Sequence, residues 1–145
     1  MILYLDTSAL IKRYITEPGS EDVQAWLADA EPASTSIITK AEMGAAITKA
    51  IRMNWLTAQQ GQTTLKWFRS EWESFGRLPI NEATVQRADA LACQHNLRGY
   101  DAIHLACALT HRDGLGIALK FATYDRALWQ AAKDEGLQVL PEAQP

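Results

Sequence analysis

Hydrophobic positions along this chain follow two periods, continuous or alternating in short runs and every three to four residues in longer ones. Ile2-Leu3-Tyr4-Leu5 is an unbroken apolar run, the pattern of a strand buried on both faces, and Asp6-Thr7-Ser8 behind it offers helix N-cap chemistry. A short helix over Ala9–Tyr14 is stopped by Glu17-Pro18-Gly19, and Ser20 caps a second helix with Val23, Trp26 and Leu27 on one face. A second strand is predicted around Ser34–Ile38. Thr39 and Glu42 have the capping-box spacing and open a long helix from Lys40, on which Met43, Ile47 and Ile51 form one apolar stripe. Thr57 with Gln60 opens another helix, where Leu65, Phe68, Trp72 and Phe75 recur at helical spacing and Trp67 lies off the stripe. Leu78-Pro79-Ile80 reads as extended, and Asn81 caps a helix to about His95 with Val85, Ala88, Leu91 and Ala92 inward. Asp101–Ala108 is apolar almost all round, the mark of a helix buried on most sides. Ile117–Ala122 is a further strand, Asp125 begins a helix ending near Gly136, and Val139-Leu140 is a last short strand.

Strands alternating with helices, with no repeat, long linker or low-complexity segment, predict an α/β layered domain whose sheet is mostly parallel. In such sheets ligands bind beyond the carboxyl ends of the strands, where the following helices begin. The 145 residues are read as one domain, with a 48% hydrophobic and 21% charged composition that excludes disorder, coiled coil and collagen-like repeats. No apolar stretch reaches the roughly 18 residues of a membrane span and the N-terminal run meets Asp6 too early for a signal peptide, so a cytoplasmic protein is expected. Cys93 and Cys107 lie in apolar helical patterns without a CxxC or a metal-spaced His, and are read as buried free thiols.

Asp6 ends the first strand, Glu42 opens the helix after the second, Asp101 opens the apolar helix, and Asp125 follows the strand ending at Ala122. All four can face one sheet edge. Each also has an ordinary explanation as an N-cap, half of a capping box, or an acid favoured at a helix N-terminus, contributing about 0.3–2 kcal/mol. Together they would crowd like charges that resist joint ionisation without a cation. Carboxylate sites select hard cations such as Mg²⁺ or Mn²⁺, which grip phosphates and acidify bound water, so the joint reading is a metal-dependent phosphodiesterase. The net charge of −3 does not exclude such a substrate. Setting four of the 17 acids aside in a metal site leaves the remainder of the chain slightly positive against 14 Lys and Arg.

Four segments in order, Tyr4-Leu5-Asp6-Thr7-Ser8-Ala9-Leu10, Thr39-Lys40-Ala41-Glu42, Gly99-Tyr100-Asp101-Ala102-Ile103-His104-Leu105-Ala106 and Ala122-Thr123-Tyr124-Asp125-Arg126-Ala127-Leu128, resemble the motifs of PIN-domain ribonucleases, above all the VapC toxins of bacterial VapBC toxin–antitoxin pairs. The resemblance spans Ile2 to about Leu140. It implies a three-layer PIN-like fold, a central sheet flanked by helices, and a metal-dependent endoribonuclease. Asp6, Glu42, Asp101 and Asp125 would hold Mg²⁺ or Mn²⁺, with Ser8 and Thr123 as polar positions beside it. It further implies an RNA substrate, a VapB-like antitoxin partner and a homodimer. Ala127 stands where some relatives carry a further acid.

Two rivals remain at this level. A phosphatase of the haloacid-dehalogenase type would use the Asp after the first strand as nucleophile, but it needs a second Asp where Ser8 stands. A non-catalytic nucleic-acid-binding module on the same fold would use the acids only as caps. His104, three residues after Asp101, is read as a structural hydrogen bonder, because hard cations favour oxygen. Lys12, Arg13, Lys40, Lys49 and Arg126 are candidates for phosphate contact. Trp55 and Trp67, off the apolar stripe, are candidates for a partner surface.

Overall fold

A computed structural model describes all 145 residues. The chain runs β1 (Leu3–Leu5), α1 (Thr7–Tyr14), α2 (Ser20–Asp29), β2 (Ala33–Ser36), α3 (Thr39–Arg52), α4 (Ala58–Glu71) with a 3₁₀ turn at Trp72–Ser74, β3 (Gly76–Leu78), α5 (Glu82–His95), α6 (Gly99–Leu115), β4 (Lys120–Ala122), α7 (Arg126–Asp134) and β5 (Gln138–Leu140). Every strand pair is parallel and the order is β3-β2-β1-β4-β5.

The alternation within β1 builds the three layers. Leu3 and Leu5 face the cluster of Leu10, Val23, Met43, Ile47, Phe68 and Trp72 from α1–α4, whereas Tyr4 faces Leu91, Leu105, Leu109, Phe121 and Leu128 on the α5–α7 side. Successive strand residues point to opposite faces, so three fully buried residues suffice to join both cores. Because β1 is central and the chain lays β2 and β3 on one side before crossing to β4 and β5, the order reverses between β1 and β4. That reversal is where open parallel sheets form their binding crevice.

Several boundaries differ from the sequence reading. β3 is Gly76–Leu78 and lies before Pro79, which lacks the N–H needed to continue the ladder. β2 ends at Ser36. α6 runs on to Leu115, where Gly116 at φ +66° caps it, so Ile117 is exposed and β4 begins only at Lys120. On α5, Ala88 and Leu91 are buried and Ala92 packs against the same core as predicted, whereas Val85 is exposed and Thr84, bonded to the Asn81 cap, is buried. Cys93 is exposed and only Cys107 is a buried thiol. No helix is long and apolar enough to cross a membrane.

Candidate active site

Asp6, Thr7, Ser8, Glu42, Arg98, Asp101, His104 and Asp125 line one wholly polar cavity of about 180 Å³ beyond the carboxyl ends of β1 and β4. All four carboxylates singled out in the sequence therefore meet there.

Asp6 and Asp125 serve as caps and also line the cavity. Asp6 Oδ1 accepts the Ala9 backbone N–H at 2.9 Å and caps α1, and Asp125 Oδ1 accepts that of Leu128 at 2.9 Å and caps α7. One oxygen of each satisfies a helix terminus, while the second makes contacts across the site. Asp6 Oδ2 accepts Thr123 Oγ1–H at 2.7 Å, and the Ser8 hydroxyl approaches both Asp6 oxygens, at 2.7 and 2.9 Å. These hydroxyls are themselves fixed by backbone donors, Tyr124 N–H to Ser8 Oγ at 2.9 Å and Asp125 N–H to Thr123 Oγ1 at 3.1 Å. Each hydroxyl has one proton, and the backbone bond leaves that proton to Asp6. Pairing of Leu5 with Ala122 sets Asp6 and Thr123 side by side.

Glu42 does not form the predicted capping box. Thr39 is inside the helix, preceded by Ile38 without a side-chain cap, and its buried hydroxyl pairs with Thr35 Oγ1 at 2.7 Å. Glu42 is thereby free to reach across the sheet end, where its Oε1 accepts Thr7 Oγ1–H at 2.7 Å and meets His104 Nε2 at 2.6 Å. Its Oε2 has no protein partner. An ionised carboxylate carries no proton, so Nε2–H is the donor; in the neutral imidazole Nδ1 then accepts from Tyr4 Oη–H at 2.8 Å. Tyr4 stacks on Phe121 at 5.3 Å, which ties this relay to the core. His104 is the hydrogen bonder expected, and its role is to orient Glu42.

Electrostatically the acids divide. Burial pushes the Asp6 carboxyl up despite its three donors. Burial also pushes Asp101 up, reinforced by the Asp125 charge and opposed by Arg98. The like-charge crowding expected from sequence thus bears on Asp101, whereas for Asp6 the cause is burial. Burial acts upward on Glu42 too, but the bonds from His104 and Thr7 outweigh it and hold the carboxyl below its ordinary range.

Arg98 is a site residue that the sequence pattern does not single out. It sits at the N-cap of α6, donates Nε–H to Asp101 Oδ2 at 3.1 Å and Nη2–H to Asp125 Oδ2 at 3.0 Å, and so spans the two acids with one guanidinium. Its only sequence signal is an arginine three residues before an acid at a helix start. The basic candidates for phosphate contact lie elsewhere: Lys12 pairs with Glu17 and lies over Tyr124, Arg13 pairs with Glu71, Arg126 reaches Gln144, and Lys40 and Lys49 are exposed.

No three acid, His or Cys side chains converge as ready-made ligands in this conformation. The donor chemistry nevertheless fits a hard cation. The cavity is lined by carboxylate and hydroxyl oxygens, two of its acids are held above their ordinary range, and a guanidinium stands in for positive charge between Asp101 and Asp125.

Comparison with known proteins agrees with this architecture. The PIN domain model matches residues 3–134. Ribonuclease VapC49 of Mycobacterium tuberculosis (strain H37Rv) is 32% identical over 140 residues, covering 97% of this chain and 95% of that protein. Ribonuclease VapC46 of the same strain is 30% identical over 139 residues, covering 95% of each. Among solved structures, FitAcB from Neisseria gonorrhoeae matches with TM-score 0.70 at 22% identity over 97% of this chain and 98% of that one. VapBC2 from Rickettsia felis, bound to a promoter DNA fragment, matches with TM-score 0.65 at 16% identity over 96% and 97%. The structural matches establish the shared fold, and the sequence matches the family: the chain belongs to the PIN-domain family, alongside the VapC ribonucleases.

Proposed function

We propose that this VapC-type PIN ribonuclease, the toxin of a VapBC-type pair, hydrolyses RNA phosphodiester bonds at the cavity of Asp6, Glu42, Asp101 and Asp125. The observation that carries the reading is the convergence of four carboxylates from four separate chain segments on one wholly polar cavity at the sheet's reversal point. A cap role would place acids at helix starts but would not leave Glu42 uncapped and turned inward.

The four carboxylates would hold Mg²⁺ or Mn²⁺. When bound, such a cation supplies an acidified water and neutralises charge building on the phosphate. Ser8 and Thr123 fix Asp6 in one rotamer through hydroxyls anchored on backbone N–H groups. Thr7 and His104 saturate Glu42 Oε1 and leave Oε2 as the oxygen directed to chemistry. Asp125 ties the site to α7 through its cap. Purified protein is expected to cut RNA with Mg²⁺ or Mn²⁺ and to stop on chelation, and cleavage that persists in chelator sinks the mechanism.

The antitoxin would lie along a larger groove between α1, α3 and α4, about 940 Å³, lined by Ile11, Ile15, Ala50, Trp55 and Leu56. Trp55 is 66% exposed there, a large apolar side chain without cover. Trp67 is more tightly held, its Nε1–H on Glu71 and its ring edge-on to Tyr14. The free protein is expected as a homodimer, checked by light scattering, where a monomer at every concentration refutes it.

A further inference from the structure

We propose that Arg98 is a displaceable counter-cation of the acid site: it bridges Asp101 and Asp125 while no metal is bound, yields those oxygens to the divalent cation, and then binds a phosphate of the RNA. The proposal rests on the reading of the four acids as the cation site. Arg98 is the one cationic side chain lining the cavity, against four carboxylates. Its adjacent N–H groups reach one oxygen on each acid, so the guanidinium occupies the gap that a shared cation would have to enter. The side chain is 80% exposed, unlike the partly buried acids it holds, and exposed arginine pairs hold weakly. Its backbone is fixed as the N-cap of α6, so the root stays beside Asp101 while the tip can turn. A guanidinium released at the mouth of this cavity has no other carboxylate bonded to it, and its planar fork suits phosphate oxygens. The same charge thus opposes metal entry before binding and favours the polyanion afterwards.

Mn²⁺ affinity, followed by its electron paramagnetic resonance signal in wild type, Arg98→Gln and Arg98→Lys, separates the possibilities, together with steady-state cleavage of an oligoribonucleotide at saturating Mn²⁺. Arg98→Gln is expected to bind Mn²⁺ about 3- to 10-fold more tightly, the range two exposed ion pairs can supply. Its KM for RNA is expected to rise about tenfold with a smaller change in kcat, as loss of one charge-assisted phosphate contact predicts. Arg98→Lys keeps the charge without the fork, so its Mn²⁺ affinity should fall between the other two and its KM should return toward wild type. Unchanged or weaker Mn²⁺ binding in Arg98→Gln, a Lys variant identical to wild type in Mn²⁺ affinity, or an unchanged KM overturns the proposal. Wild type that binds no Mn²⁺ removes the cation site itself, whereas wild type that binds while Arg98→Gln binds no better removes only the role of Arg98.

Discussion

Glu71 and Asp101 are both half-covered carboxylates paired with an arginine, and they sit in opposite electrostatic states. Glu71 takes two bonds from Arg13, at 2.8 and 2.9 Å, one from Tyr14 Oη at 2.7 Å and one from Trp67 Nε1 at 2.9 Å. Arg13 outweighs burial, and the carboxyl is held down to about 2. Asp101 shares one exposed guanidinium with Asp125 and is pushed up by burial and by its neighbour's charge. The first acid is fully satisfied by the chain that carries it and acts as a clasp between α1 and α4. The second is left short of positive charge. A structural ion pair and the proposed cation site use the same residue types, and the difference lies in whether the protein's own donors close the account.

The widest separation between the two regions should come from removing one acid in each. Asp101→Asn is expected to lower RNA cleavage about a thousandfold or more, because the cation's ligand set loses a charge, while the metal-free protein melts no lower than wild type. Glu71→Ala should do the reverse. It leaves Arg13 and Tyr14 without their acceptor and costs about 1.5–3 kcal/mol, a fall of several degrees in Tm for a chain of this size, with the Mn²⁺-induced shift intact. A Glu71 variant that loses the metal shift would mean the two regions are not independent.

Tyr4→Phe probes the relay that sets Glu42. The ring still stacks on Phe121, but His104 Nδ1 loses its donor, at a cost of about 1 kcal/mol in thermal or denaturant unfolding and a modest fall in kcat. A kcat equal to wild type would show that His104 and Thr7 set Glu42 without Tyr4.

Acidification should give the smallest effect, with opposite signs in the two regions. The Glu71 carboxyl, lowered on folding, adds stability that is complete above its unfolded value of about 4.3 and is lost as pH falls through that value toward 2. Asp6 and Asp101, raised on folding, cost stability when ionised, so lowering the pH from neutral toward about 4 relieves that cost. Without metal, Asp6→Asn should therefore be more stable than wild type at neutral pH, and that advantage should shrink as the pH falls toward about 4. A difference independent of pH contradicts the burial of an ionised Asp6.

The legible parts of this molecule were those where one local signal decides. The run Ile2–Leu5, the capping box at Thr57, the cap at Asn81, and the stripe through Phe68 and Trp72 all form as their patterns predict. The four acids could be placed at one sheet edge because parallel strands all end on the same side. What the pattern could not supply was partnership across the sheet. Thr39 and Glu42 match a capping box by spacing, yet Thr35 claims the first and His104 the second, from residues four and 62 positions away. Arg98 is an unremarkable surface arginine in one dimension, and only the meeting of α6 with α7 gives it two acids. Ile117 fails for a related reason, because Gly116 stops the helix short of the sheet and leaves the next residues in solvent.

The central claim is that Asp6 is a buried acid awaiting a cation and not merely the cap of α1. Paired melting curves of wild type and Asp6→Asn, with and without Mn²⁺ and alongside RNA cleavage, test it most directly, since Asn keeps the capping oxygen. Wild type should gain about 2.7 kcal/mol at a hundredfold excess of Mn²⁺ over Kd. Asp6→Asn should melt higher than wild type without metal, gain much less from Mn²⁺ and leave RNA uncut. A variant that melts lower without metal, keeps the full Mn²⁺ shift and still cuts RNA would make Asp6 a helix cap and nothing more.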